Sequence, residues 1–277
     1  MNPFRTTRFI SSTLIGLALI VGLVAAGRPN SAVAQTSVVW KYTALGDSNA
    51  RGYGAFKGYV PRYRDYIGAD VGVSVTVNNL GIPAWTSTRL VKALTNPTDP
   101  YFQTFQDALK GADVVTWDIG GVDLIFARAL YTYRLCGGAD NQDCLRTAVG
   151  KFKANWDAII AELLVLRSTD TTIIRTMDMY NPYVAIDKGT DTWQNDGGLN
   201  DFQAFKPYLD EINAYISTTA TEHGIPYARL YVAFNGPNGD VDPADRGLVS
   251  WDGVHPNDTG HKLIADLLRD LQYAPLR

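Results

Sequence analysis

Hydrophobic positions along the chain switch repeatedly between two periods. Valines at 71, 73, 75 and 77 recur at every second residue, the spacing of a half-buried strand, and the run ends at Asn78-Asn79-Leu80-Gly81. Phe152, Trp156, Ile159, Ile160, Leu163 and Leu164 instead return every three to four residues, the stripe of a helix that buries one face. The same reading predicts strands at 37–45, 71–80, 113–119, 171–177 and 225–230. It predicts helices at 58–67, 86–94, 101–110, 145–167, 201–223 and 257–271. Two polar stretches, 180–198 and 235–248, carry the glycines and prolines of loops. Tyr180, Tyr183 and Trp193 in the first could line a substrate site, but covering core is the plainer reading. Strands and helices alternate, which predicts an α/β fold with a parallel sheet of about five strands and helices on both faces. In such a sheet, ligands bind outside the carboxyl ends of the strands.

The first stretch is different in kind. Arg5 and Arg8 precede an apolar run at 14–24, and Ala32-Val33-Ala34 follows with small residues at the spacing of a cleavage site. That order reads as a secretory signal peptide over 1–34, the uncharged span being short for a bilayer crossing. The remainder, 35–277, is of a length that suits one domain with a large core. Without the segment's three arginines, 22 basic residues face 28 acidic ones, a net charge of −6. No run of lysines or arginines offers the basic surface that binding to a phosphate backbone needs, so nucleic acid is not an expected partner. A second apolar span of membrane length is absent from the sequence, so an exported protein without a membrane span is expected. Cys136 and Cys144, the only cysteines, flank a polar, glycine-rich stretch and read as one local disulfide.

Chemistry concentrates where predicted strands break on glycine. The first strand runs into Gly46-Asp47-Ser48, the second into Gly81 and the third into Gly120-Gly121-Val122-Asp123. These ends share one edge of a parallel sheet, so residues far apart in sequence can meet there. Ser48 is the candidate nucleophile, but a serine hydroxyl needs a base to act. Trp251-Asp252-Gly253-Val254-His255-Pro256 supplies one: a carboxylate three residues before an imidazole can bind one ring nitrogen and leave the other facing Ser48. Asp252 and His255 could equally be turn residues before a proline; their combination favours catalysis. His261 is read as a surface residue or a helper of packing, and His223 as a helix terminator.

The blocks Gly46-Asp47-Ser48, Asn78-Asn79-Leu80-Gly81, Ile119-Gly120-Gly121-Val122-Asp123-Leu124 and Asp252-Gly253-Val254-His255-Pro256 stand in the order of the GDSL-type, or SGNH, hydrolase superfamily, which the chain resembles over nearly all of 35–277. The resemblance implies a three-layer, flavodoxin-like α/β/α fold. It also implies hydrolysis of carboxylic esters, small or polymer-borne, through an acyl-serine, without metal or organic cofactor. Ser48 would be the nucleophile, His255 the base, Asp252 its orienting acid, and the backbone N–H groups of Ser48 and Gly81 oxyanion donors. The third block departs from the pattern: the family carries an asparagine donor where this chain has Val122, which cannot donate a hydrogen bond. Losing one such donor costs about a hundred- to a thousandfold in turnover, and asparagine at 122 would restore it. The exception is a hole in which another side chain, Asn78 or Asn79, has taken the position. A binding protein that keeps the fold without turnover, and a structural surface domain, are the rival readings; retention of Ser48, Asp252 and His255 together speaks against both.

Overall fold

The alternation becomes five parallel strands in the structure, a computed structural model that describes residues 38–276. The expected signal segment and its cleavage site lie outside the described residues. β1 (Val39–Gly46) leads into the one-turn α1 (Ser48–Arg51) and then α2 (Tyr59–Val71). β2 (Ser74–Gly81) is followed by α3 (Ser87–Thr95) and α4 (Phe102–Lys110), and β3 (Val114–Asp118) by α5 (Gly121–Thr132) and the long α6 (Asp143–Leu166). Next come β4 (Ile173–Met177), α7 (Val184–Lys188) and α8 (Asp201–Glu222). The two-residue β5 (Tyr227–Ala228), α9 (Leu230–Asn235) and α10 (Asp258–Asp270) complete the chain. The strands lie in the order β2-β1-β3-β4-β5, each neighbouring pair parallel.

Alternation along the strands divides the core into two layers. Val114, Tyr42 and Ile173 point to the side covered by α2, α9 and α10, whereas Val115, Trp117 and Ile174 point to the side covered by α3 to α6 and α8. All five residues of β3 and of β4 are buried, as expected of parallel strands covered on both faces. Each Leu, Ile or Phe fully buried in these layers contributes about 1.5–3 kcal/mol. This is the expected α/β sandwich.

Several element boundaries differ from expectation for local reasons. Val71 ends α2 instead of opening β2, because Gly72 adopts a left-handed conformation (φ 77°) and its N–H returns to Gly68 O at 3.0 Å. The expected strand at 225–230 shrinks to two residues because Leu230 starts α9. α5, unassigned from sequence, begins at Gly120-Gly121: the glycine break after β3 is a helix start, with Gly120 at φ 115°.

His261 is fully buried and fastens α10 to the segment before α2, not at the surface. Its Nδ1 accepts the Tyr59 N–H at 3.2 Å and its Nε2–H donates to Tyr53 O at 2.9 Å, which fixes the neutral tautomer. Burial foremost holds the ring pKa down at about 4, against 6.5 for a free imidazole. The unfolded chain therefore takes up a proton as pH falls below 6.5, while the folded chain resists until about 4. The stability this histidine contributes is complete above that window and lost as pH falls through it, about 3 kcal/mol in all. Asp47 and Asp178, raised mainly by burial to about 6 and about 7, act in the opposite sense. Comparison with His261→Gln isolates the histidine: the stability advantage of the parent over the variant should shrink by about 3 kcal/mol between neutral pH and pH about 4. Urea melts across that range test it, and a pH-independent difference would refute it.

Cys136 and Cys144 form the expected disulfide, Cα to Cα 4.7 Å, tying the end of the α5 segment to the start of α6. It closes a short ring, so replacing both cysteines with serine should lower stability by no more than about 2–3 kcal/mol and leave turnover unchanged. Thermal melts and an ester assay on that variant measure both.

Candidate active site

The sheet's carboxyl edge is built around a backbone approach that permits no side chain. Gly46 pairs with Gly81 on β2 and with Asp118 on β3, and its φ of 143° belongs to the region that favours glycine. A Cβ there would collide with the Asp118 carboxylate. The chain turns at once into α1, where the Asp47 side chain caps the helix by accepting the Asn49 N–H at 2.9 Å. Ser48 is thereby set on the first residue of a rigid turn.

From the far end of the chain, the loop before α10 comes to meet it. His255 Nε2 lies 2.8 Å from Ser48 Oγ, and His255 Nδ1 lies 2.6 Å from Asp252 Oδ2. The other Asp252 oxygen accepts from the Ser250 hydroxyl at 2.7 Å and from the Val254 and His255 N–H groups, both at 2.9 Å. Burial pushes this carboxyl's pKa up, but the donors of Val254, His255 and Ser250 outweigh it and hold it well below the usual range. Asp252 is therefore an anion throughout the working pH range, and it orients a ring whose free nitrogen can take the serine proton.

Two more carboxylates stand beneath the serine. Asp47 is raised to about 6 by burial, partly offset by its hydrogen bond from Asn49 and by His255 nearby. Asp118 is raised well above the usual range, by burial first and then by Asp47; both its oxygens are enclosed without a hydrogen-bond partner among the described residues. Among the described residues, no group of three or more His, Cys, Asp or Glu could hold a metal ion.

Ser48 and His255 open into a cleft whose far walls are apolar. Val122, Ile125, Met179, Tyr180, Tyr183 and Phe205 line it, so Tyr180 and Tyr183 do more than cover core. Trp193 is elsewhere, packed on the core with its Nε1–H directed to Ala139 O. Two asparagines that sequence reasoning missed shape this wall. Asn213 of α8 clamps the Met179 backbone, accepting its N–H at 2.9 Å and donating to its carbonyl at 2.8 Å. Asn235 does the same for Asn181, at 2.8 and 2.7 Å. No local signal marks either residue, because the partner lies in another loop.

Gly81 is not among the cleft's lining residues. Its N–H donates to Asn79 Oδ1 at 3.0 Å, and the absence of a side chain serves a close approach instead, since a Cβ would strike Ala50 and the Arg51 backbone. Asn79 is also engaged, its Nδ2 donating to Ala50 O at 2.7 Å, so it does not take the position opened by Val122. Val122 itself is buried and faces the cleft.

Residues 44–263 match the GDSL-like Lipase/Acylhydrolase family. The chain belongs to that family. As a GDSL-like acylhydrolase it has the hydrolysis of carboxylic esters as its class of reaction. Its fold is similar to that of a lipase from a goat rumen metagenome, at a TM-score of 0.68 and 21% identity over 86% of this chain and 100% of the other. It is also similar to an acetylxylan esterase of Geobacillus stearothermophilus, at a TM-score of 0.55 and 20% identity over 86% and 97% of the two chains. No curated protein matches the sequence at a significant level.

Asp252 orients the imidazole that must take the serine proton, so its removal should appear first as a loss of rate. Asp252→Asn is expected to lower kcat by about 10³- to 10⁴-fold with KM little changed. Steady-state kinetics that leave kcat within a few fold of the parent would remove Asp252 from the site.

Proposed function

We propose that this chain is an exported serine hydrolase that cleaves carboxylic esters with an aliphatic acyl part through an acyl-Ser48 intermediate. One observation carries the reading: the unbroken hydrogen-bonded line from Ser48 through His255 to Asp252 at the mouth of a cleft. In the first half-reaction, Ser48 Oγ attacks the ester carbonyl carbon and its proton passes to His255 Nε2. The tetrahedral intermediate collapses, His255 returns the proton to the departing alkoxide, and the acyl group stays on Ser48. In the second, His255 takes a proton from water, the hydroxide attacks the acyl carbon, and the carboxylic acid leaves as Ser48 regains its proton. Asp252 holds the imidazole and stabilises the imidazolium in both halves.

The acyl assignment follows from the wall chemistry. Val122, Ile125, Met179 and Phe205 present hydrocarbon to whatever extends past Ser48. A hydrocarbon chain gains about 0.8 kcal/mol for each CH₂ it buries, whereas a sugar hydroxyl against these side chains loses hydrogen bonds to water. Export rests on the charged and apolar pattern of the first 34 residues and on the Cys136–Cys144 disulfide, which suits an oxidising compartment. No helix among the described residues is long and apolar enough to cross a membrane.

A fluorophosphonate probe and an ester panel graded by acyl length, with acetylated sugars included, test this reading. The probe should label Ser48, and kcat/KM should rise from acetyl to longer acyl groups. Ser48→Ala should keep its fold and lose both labelling and at least about 10⁴-fold in turnover. Labelling of another serine in the folded variant, or a preference for acetylated sugar, sinks the corresponding half of the proposal. An unlabelled, inactive but folded parent would favour a binding protein instead.

A further inference from the structure

Ester attack places negative charge on the carbonyl oxygen, and that charge needs hydrogen-bond donors fixed in advance. Those expected are few. The Ser48 N–H bonds to no protein group among the described residues and is available. The Gly81 N–H is held by Asn79, the Asn79 amide by Ala50, and Val122 has no polar side-chain atom.

One side-chain amide remains beside the nucleophile. Asn49, the residue after Ser48, lines the same cleft as Ser48, Val122 and His255. Its backbone N–H is fixed by Asp47, but its carboxamide makes no hydrogen bond among the described residues. The Oδ1 atom is enclosed and without a partner, and no acceptor among the described residues takes a hydrogen bond from Nδ2. The NH₂ end of this amide is a donor with no protein acceptor, so it is free to donate to an oxygen that arrives with the ligand.

We propose that Asn49 supplies the side-chain oxyanion donor that Val122 cannot. As Ser48 Oγ bonds to the carbonyl carbon and its proton moves to His255 Nε2, the carbonyl π pair shifts onto oxygen, and Asn49 Nδ2–H donates to that oxygen together with the Ser48 N–H. The inference rests on the reading of Ser48 as nucleophile. The turn that carries Asn49 is rigid: Asp47 caps it from one side, and Asn79 and the close approach of Gly81 hold Ala50 and Arg51 from the other. A second unpartnered amide in the cleft, Asn181 Nδ2, follows β4, which lies two strand spacings, about 10 Å, from β1. Its Oδ1 is already held by the Tyr183 N–H at 2.9 Å.

Asn49→Leu should lower kcat by about 10²- to 10³-fold while KM changes less than about threefold. Asn49→Asp, which keeps the shape and places a negative charge at the oxyanion, should lower it at least as far and covers the case in which the leucine variant does not fold. In the Asn49→Leu background, Val122→Asn should recover at least about tenfold in kcat. A merely structural role for Asn49 could not be rescued from position 122. Parental turnover in a folded Asn49→Leu or Asn49→Asp protein overturns the inference, as does a loss that Val122→Asn fails to rescue, or a loss seen with Asn181→Leu and not at 49. Fluorophosphonate labelling of the parent separates the two levels: no label at Ser48 brings down the nucleophile assignment, whereas a labelled Ser48 with a silent position 49 brings down only this inference.

Discussion

Everything at the carboxyl edge of the sheet depends on three strands meeting where no side chain fits. Gly46 lies between Gly81 and Asp118, and the missing Cβ lets the Asp118 carboxylate close over the backbone. The turn that follows is tight because nothing displaces it, and it is capped from within by Asp47. The serine's position is thus set by a steric limit on its neighbours, and the cost is visible: two carboxylates whose pKa values burial pushes up are packed beneath a polar site.

The opposite wall is held by polar clamps instead. Asn213 and Asn235 each bind both the N–H and the carbonyl of one residue in the segment after β4, and the Tyr180 hydroxyl donates to Val254 O at 2.6 Å. That last bond links the apolar wall to the loop that carries Asp252 and His255. A buried amide that satisfies two backbone groups at once is costly to disturb, so the cleft is shaped before any ligand enters. Arg128 adds to this by pairing with the fully buried Asp187 of α7 and lying over the Tyr183 ring, 4.1 Å from its centroid.

What could be read from sequence was what is encoded locally. The period-two valines, the long stripe of α6 and the glycine breaks after β1, β2 and β3 are properties of a few adjacent residues, so the alternating fold was legible. Ser48, Asp252 and His255 were legible because each has a side chain suited to one role and a short spacing suited to another. α9 went unassigned because Leu230-Tyr231-Val232-Ala233-Phe234 is apolar throughout and follows a strand directly, so periodicity had no contrast to register. His261, Asn213 and Asn235 escaped because their partners lie tens to hundreds of positions away. Gly81 was expected for its N–H alone; the room it leaves for α1 is a second reason for glycine there, and only the distance to Ala50 shows it.

Ser48 and His255 are separated by 207 positions, so their contact closes a loop spanning most of the chain. Four strands and most of the helices intervene. A nascent or partly unfolded chain holds a serine and an imidazole but no line between them, and a chain that stops short of the loop before α10 has a nucleophile with no base. The protein is therefore latent by topology: its chemistry switches on only when the last segment docks, after the long-range sheet pairings that make such folds slow to form. Inactivity of the unfinished chain thus follows from the order of its residues alone.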